Sequence, residues 1–192
     1  TDADGMGKLT IQSDTPETDF SDLYQDIKKA TGTKVTIRQK STHAVLEMDE
    51  SAISTVRAAL SDIRPSVRVM SAGDTMEIYK EVGLPKDVAE RFDVSSMSGT
   101  HGIGHTRMAT ESAVTTMGAH PFSTGSDQCL VHNGSLSNHN SLRRKLRREG
   151  VHIESENDTE VGAAYVSHQM QLGATLGEAL ESSLDALDGF FT

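Results

Sequence analysis

Apolar residues recur with two different periods over the first 95 residues, and the change of period separates helices from strands. Residues 19–30 and 51–63 repeat apolar side chains at helical spacing, whereas 33–39 and 42–48 alternate and predict the two strands of a hairpin. Shorter patterns predict a strand at 8–11, a strand at 67–70 and a helix within 82–92. This order of helices and strands predicts a small α+β module.

The second half of the chain predicts longer helices separated by short strands. The helices are expected over residues 137–149, 158–170 and 176–187, with Asp158 placed to cap the second of them. The strands are expected over residues 102–105, 128–131 and 151–153. A further strand begins at 189 and the chain opens at Thr1 without Met, so we interpret the sequence as a section of a larger subunit.

Composition and charge narrow the possible classes of function. The 192 residues are 35% hydrophobic and 4% aromatic, which suits one domain, or one domain with an inserted module, around an aliphatic core. The net charge of −10 argues against nucleic acid or an anionic membrane as the main partner. We expect neither a membrane span nor a signal peptide. The single cysteine excludes an internal disulfide and fits a reducing cytoplasm.

The densest set of groups that could bind a ligand or take part in catalysis lies between residues 102 and 140. Arg107 follows a Gly-x-Gly segment and precedes Thr110 by three residues. A guanidinium can hold a carboxylate by two parallel hydrogen bonds, although an ion pair with one of the 28 acidic residues is the simpler alternative. Asn133-Gly134 follows an apolar run and signals a tight turn. Such a turn aims a side-chain amide and a backbone N–H in one direction, which suits an oxyanion hole as well as an ordinary hairpin.

Asp158, several histidines and a basic run complete the candidate groups. Asp158 can hold an ammonium group or cap its helix, and one carboxylate can do both. Five of the eight histidines lie near the same stretch, but their spacing does not predict a metal site, and we expect His120 and His132 to order loops. The basic residues of 143–148 are expected to face solvent or to form a docking patch for an acidic partner subunit.

Four motifs resemble the glutamine-binding motifs of the class II glutamine amidotransferases, which are N-terminal-nucleophile (Ntn) hydrolases: GHTRMAT, AHPF, VHNGSLSN and ENDTE. The resemblance covers residues 101–192 and is nearest to the glutaminase-like subunits of glutamate synthase-type and N-methylglutamate synthase-type complexes. It implies an α+β fold, an αββα sandwich of two antiparallel sheets with outer helices, plus a small inserted α+β module. The implied domains are 1–95, which carries the module, and 96–192, an amidotransferase core truncated at both ends. Whether residues 13–95 are an insertion or part of the core stays open.

The resemblance also implies roles for five residues. Arg107 would hold the α-carboxylate of glutamine, Asp158 its α-ammonium group, and Thr110 would make a secondary contact. Asn133, through its side-chain amide, and Gly134, through its backbone N–H, would stabilise the oxyanion. The resemblance implies no metal or cofactor in this chain, whereas partner subunits of such complexes carry FMN and an iron–sulfur cluster.

The class II mechanism needs a cysteine at the mature N-terminus, whose thiolate attacks the glutamine amide. Cys129 lies inside an apolar run and Thr1 in an acidic loop, so neither fits that role. We therefore expect a glutaminase-type domain or subunit that binds glutamine or glutamate and releases or transfers ammonia. Its nucleophilic cysteine would be absent from this chain, which alone would be inactive. The alternative is a non-catalytic, amidotransferase-like binding or scaffolding subunit of a multi-subunit synthase, and the acceptor of the ammonia and the stoichiometry stay open.

Overall fold

The computed structural model describes residues 5–13, 15, 18–106 and 114–191. The chain divides into two compact units. The N-terminal unit comprises Thr1–Tyr79 and Gly83–Gly102, and the C-terminal unit comprises Lys80–Val82 and Ile103–Thr192. Among the described residues, no helix is both long and apolar enough to cross a membrane.

The N-terminal unit is built on one antiparallel sheet of four strands in the order β2-β3-β1-β4. Its elements are β1 (Met6–Ser13), α1 (Leu23–Thr31), β2 (Thr36–Lys40), β3 (His43–Asp49), α2 (Ile53–Ile63), β4 (Val67–Gly73) and the short α3 (Pro85–Arg91). The succession βαββαβ with this strand order is the ferredoxin-like, or split βαβ, pattern. The order of helices and strands predicted from sequence is confirmed in this unit.

Alternating apolar side chains put one face of this sheet against α1 and α2. Leu9, Ile11 and Leu46 are fully buried on the sheet, and Ile27 and Leu60 join the same core cluster from the helices. This follows from strand geometry, because successive side chains of a strand point to opposite faces.

The segment after β4 covers the opposite face of the sheet. The fully buried ring of His43 lies 5.7 Å from the ring of Tyr79 and 4.9 Å from the ring of Phe92. Glu77 accepts hydrogen bonds from Arg38 at 2.6 Å and from the Tyr79 hydroxyl at 2.6 Å. The unit therefore buries both faces of its sheet, whereas antiparallel sheets often leave one face to solvent.

In the part that the structure describes, the C-terminal unit combines two small antiparallel sheets with three helices. Its elements are β5 (Phe122–Gly125) paired with β6 (Gln128–Leu130), β7 (Gly134–Leu136) paired with β8 (Gly189–Phe191), and the helices α4 (His139–Arg148), α5 (Asp158–Gln171) and α6 (Leu176–Ala186). Leu142 and Leu146 of α4 pack with Val161 and Ala164 of α5 in the core. The first half of α5 is buried on nearly all sides, so α5 is the central helix of the unit.

The strand predictions for the second half have mixed outcomes. β6 confirms the strand predicted at 128–131, whereas 102–105 and 151–153 form no strand. No described atom lies within 4 Å of a β-carbon built on Gly102 or Gly104. An alternating sequence forms a strand only where a neighbouring strand pairs with it. The backbone of 151–153 is hydrogen-bonded to α4 instead. The α+β class with antiparallel sheets is confirmed, while the two-sheet sandwich and the predicted domain boundary stay predictions.

Candidate functional site

The candidate site is built around the first turn of α5. Asn157 caps this helix, because its Oδ1 accepts a hydrogen bond from the backbone N–H of Thr159 at 2.8 Å. Its Nδ2 donates to the carbonyl of Gly118 at 3.3 Å. The prediction that Asp158 caps α5 is therefore wrong by one residue. Asn157 has the extended backbone of an N-cap, with φ −71° and ψ 137°, and Asp158 is already the first helical residue.

Because Asn157 caps α5, the Asp158 carboxylate makes its hydrogen bond to another element of the unit. Its Oδ2 accepts the backbone N–H of Leu136 in β7 at 2.8 Å, and its Oδ1 lies 3.5 Å from the hydroxyl of Thr159. A carboxylate in the first turn is stabilised by the helix dipole. The side chain is 20% exposed, so a ligand can reach it. One oxygen thus ties α5 to β7, and the other keeps capacity for a further donor.

Asn133 and Gly134 lie where the chain from β6 enters β7. Gly134 is the first residue of β7 and pairs with Phe191 of β8, and both Asn133 and Gly134 are exposed. They do not form the tight hairpin turn predicted from sequence, because β7 pairs with β8 rather than with β6. The turn between paired strands lies at 126–127, where Asp127 takes a φ of 50°.

Three of the five predicted site residues therefore lie in one region. The backbone N–H that binds Asp158 comes two residues after Gly134, so the carboxylate is held on the strand that Gly134 begins and Asn133 directly precedes. Arg107 and Thr110 lie outside the described residues, and their roles stay predictions.

A buried hydroxyl beside Asp158 joins two histidines. Thr159 is fully buried, and its Oγ1 lies 2.7 Å from Nε2 of His120 and 3.1 Å from Nδ1 of His132. The same Nδ1 lies 4.0 Å from Oδ2 of Asp158. The ring of His105 packs against that of His120 with 4.4 Å between centroids. Sequence reasoning missed Thr159, whose signal was its position in the ENDTE motif.

The loop before α5 is held by side chains from the helices on either side. Glu160 of α5 accepts the backbone N–H of Glu154 at 2.8 Å. Arg143 of α4 binds the Glu156 carboxylate and donates to the carbonyl of Asn157 at 3.3 Å. The prediction that the basic run faces solvent is wrong for Arg143, which is 4% exposed, because its guanidinium reaches inward to this loop. The other basic residues of the run are exposed.

A buried lysine adds positive charge to this unit. Lys80 is 6% exposed, and its Nζ lies 4.3 Å from the centre of the Phe122 ring. Burial lowers the pKa of Lys80 to about 8, and the carboxylates of Glu160 and Glu154 oppose that shift. The ammonium group therefore keeps its charge at neutral pH and loses it as the solution becomes alkaline.

Cys129 lacks the surroundings of a nucleophile. It is half-buried in β6, and burial raises the pKa of its thiol. The thiolate fraction at neutral pH is correspondingly small. Within the part of the chain that the structure describes, no group of three or more His, Cys, Asp and Glu side chains is arranged to hold a metal ion.

Comparison with protein families matches residues 92–191 to the glutamine amidotransferase domain. The match covers more than half of the 192 residues and contains the whole of the site from β5 to β8. The chain therefore belongs to the glutamine amidotransferase domain family.

Individual relatives agree with this family. Glutamine amidotransferase-like protein GlxB of Rhizobium meliloti is 65% identical over 189 residues, which cover 98% of this chain and 62% of that protein. A protein of Methanothermobacter thermautotrophicus, whose name assigns it provisionally to the glutamine amidotransferases, is 41% identical over 66% of this chain and 42% of its own length. The isomerizing glutamine–fructose-6-phosphate aminotransferase of Idiomarina loihiensis is 33% identical over 65% of this chain and 20% of that enzyme. The chain thus spans less than two thirds of each of these relatives.

Proposed function

We propose that this chain is the glutamine-binding part of a glutaminase-type amidotransferase. It binds glutamine or glutamate by the α-amino-acid end and stabilises the oxyanion that forms on the side-chain amide. Asp158 takes the α-ammonium group, Arg107 the α-carboxylate, and Thr110 makes a secondary contact. The side-chain amide of Asn133 and the backbone N–H of Gly134 stabilise the oxyanion. The family of the chain supports glutamine as the substrate.

The position of the Asp158 carboxylate carries this proposal. The N–H of Leu136 fixes Oδ2 at 2.8 Å, on the strand that begins with Gly134. A carboxylate needed only to start α5 would cap the helix, but Asn157 has that role. The 3.5 Å contact between Oδ1 and the Thr159 hydroxyl is a weak hydrogen bond, so Oδ1 keeps acceptor capacity for an ammonium group.

In the proposed reaction, a cysteine thiolate outside residues 1–192 attacks the amide carbon of glutamine and ammonia leaves. Water then hydrolyses the γ-glutamyl thioester to glutamate. Each step forms an oxyanion, and loss of one donor to such an oxyanion typically costs about 2.7–4 kcal/mol. The raised pKa of Cys129 supports a nucleophile from elsewhere. On this proposal, residues 1–192 alone bind the ligand but release no ammonia.

We also propose that the chain works in a cytoplasmic complex of the glutamate synthase or N-methylglutamate synthase type. The released ammonia passes to a partner subunit that carries FMN and an iron–sulfur cluster. Residues 96–192 form the amidotransferase core of the Ntn sandwich, and residues 1–95 carry the inserted module, whose sheet is that of the N-terminal unit. A non-catalytic binding or scaffolding subunit is the alternative, because the raised pKa of Cys129 suits it equally.

Calorimetric titration of the 192-residue chain with glutamine and with glutamate tests the proposed function. We expect the parent to bind and Asp158→Asn to bind about 10- to 100-fold more weakly, because a hydrogen bond to a charged group contributes roughly 1.5–3 kcal/mol. Asparagine still accepts the Leu136 N–H, so the fold survives.

Asp185→Asn is the matched control, because Asp185 is an exposed carboxylate on α6 of the same unit. We expect its affinity to equal that of the parent. Equal affinity of Asp158→Asn and the parent, or no binding by the parent, contradicts the proposed function.

A further inference from the structure

We propose that Thr159, His120 and His132 form a positioning unit that holds two parts of the ligand site in register. This inference rests on the proposed roles of Asp158 and Asn133. The three side chains come from separate segments: His120 precedes β5, His132 lies between β6 and β7, and Thr159 is the second residue of α5. They meet at one buried hydroxyl.

That hydroxyl connects the neighbours of two site residues. Thr159 follows Asp158, the proposed partner of the ammonium group, and His132 precedes Asn133, the proposed oxyanion donor. The 3.1 Å contact between Thr159 Oγ1 and His132 Nδ1 therefore links the start of α5 to the segment that enters β7. Thr159 is fully buried and β-branched, so its hydroxyl has few alternative positions. Because binding and catalytic groups must be held within a fraction of an ångström, this link matters for both subsites.

Counting protons predicts the tautomer of each histidine. The Thr159 hydroxyl has one proton and two lone pairs. Its neighbours are His120 Nε2 at 2.7 Å, His132 Nδ1 at 3.1 Å and Asp158 Oδ1 at 3.5 Å. All three contacts are satisfied when both imidazoles donate an N–H and the hydroxyl proton points to the carboxylate. The negative charge of Asp158 favours that direction of the hydroxyl dipole.

Imidazole spectra of the ligand-free chain test this arrangement. Long-range proton–nitrogen correlation NMR of the isotopically labelled chain should show an Nε2–H tautomer on His120 and an Nδ1–H tautomer on His132. The variants His120→Gln and His132→Asn assign the two signals. Thr159→Val should change both. The opposite tautomer at either histidine, or signals unchanged in Thr159→Val, overturns the positioning unit.

Glutamate binding separates positioning from general stability. Thr159→Val keeps the shape but loses the hydroxyl, so we expect about tenfold weaker binding. Thr159→Ser keeps the hydroxyl and should bind within about threefold of the parent. Thr124→Val is the matched control, because Thr124 of β5 makes a comparable 2.8 Å hydroxyl contact with Ser167 in the same unit. We expect its affinity to equal that of the parent.

Variants of the histidines keep the test decisive if Thr159→Val does not fold. Glutamine carries an N–H near the Nε2 position of histidine, and asparagine carries one near the Nδ1 position. His120→Gln and His132→Asn should therefore bind glutamate within about threefold of the parent, whereas His120→Leu and His132→Leu should bind about tenfold more weakly. Equal loss in the amide and leucine variants overturns the positioning unit.

The outcomes distinguish this inference from the proposed function. If Asp158→Asn loses binding while Thr159→Val binds like the parent, the positioning unit is overturned and the proposed function stands. If the parent binds neither glutamine nor glutamate, the proposed function is overturned, and the tautomers alone decide whether the three side chains form the predicted unit.

Discussion

The pairing of β7 with β8 depends on a glycine at position 189. Gly189 pairs with Leu136 and has a φ of 140°, and a β-carbon built there would lie 2.2 Å from the carbonyl oxygen of Ser135 and 2.9 Å from the nitrogen of Ser137. Both are backbone atoms, so side-chain rotation cannot relieve the overlap. Gly189→Ala must therefore move β8 away from β7 by about 1 Å to reach ordinary contact.

Two costs add in this variant. Overpacking typically costs about 1–3 kcal/mol, and a non-glycine residue in a sparsely populated backbone conformation about 1–3 kcal/mol. We therefore expect Gly189→Ala to lower the free energy of unfolding of the C-terminal unit by about 2–6 kcal/mol. Gly173→Ala is the matched control, because Gly173 has a φ of 105° but no atom of the described residues lies within 4 Å of a β-carbon built there. It carries only the backbone cost.

Urea unfolding followed by far-ultraviolet circular dichroism measures the difference, because the sequence has no Trp for fluorescence. Hydrogen exchange over β7 and β8 assigns it to this sheet. Because the Leu136 N–H of β7 holds Asp158, glutamate binding should weaken as well in Gly189→Ala. Equal unfolding free energies for Gly189→Ala and Gly173→Ala would refute the steric reasoning.

Three further predictions concern Lys80, Arg143 and Cys129. Burial lowers the pKa of Lys80 from 10.5 to about 8, so between these values the folded chain has lost a proton that the unfolded chain keeps. The unfolding free energy of the parent should therefore rise with pH over this window, relative to Lys80→Met, by up to about 1.4 kcal/mol per pH unit. Urea unfolding at each pH measures this, and an equal pH dependence of the unfolding free energy in the parent and in Lys80→Met contradicts it. Arg143→Met removes the 3.3 Å hydrogen bond to the carbonyl of Asn157 and the ion pair with Glu156, and should lower the unfolding free energy by about 1–3 kcal/mol, whereas exposed Arg144→Met should change it by less than about 0.5 kcal/mol. Because burial raises its pKa, Cys129 should react with iodoacetamide more slowly than free cysteine at neutral pH, and Cys129→Ala should bind glutamate like the parent; loss of binding in Cys129→Ala would place this thiol in the site.

Periodicity predicted the helices of the N-terminal unit because α1 and α2 each bury one face. The helix expected at 51–63 begins at Ile53 and ends at Ile63, and the hairpin expected at 33–48 is found as β2 and β3. The strand expected at 102–105 failed because alternation does not specify a partner strand.

The arrangement of the candidate site depends on contacts between distant parts of the sequence, which local patterns do not predict. The ENDTE motif directed attention to Asp158, but the cap lies one residue earlier because Asn and Asp are nearly equal as caps. Thr159 contacts His132 across 27 positions and His120 across 39 positions of sequence, and no local pattern predicts such contacts. The burial of Arg143 likewise depends on the loop that α4 meets only in the folded unit.

The central claim is that Asp158 recognises the ammonium group of an amino-acid ligand. The most direct measurement is a thermodynamic cycle in which the parent and Asp158→Asn are each titrated calorimetrically with glutamate and with glutarate, which lacks the amino group. We predict that Asp158→Asn weakens glutamate binding by about 10- to 100-fold and changes glutarate binding by less than about twofold. Equal weakening for both ligands, or unchanged glutamate binding, would contradict the claim and leave the Asp158 carboxylate with its structural bond to Leu136 alone.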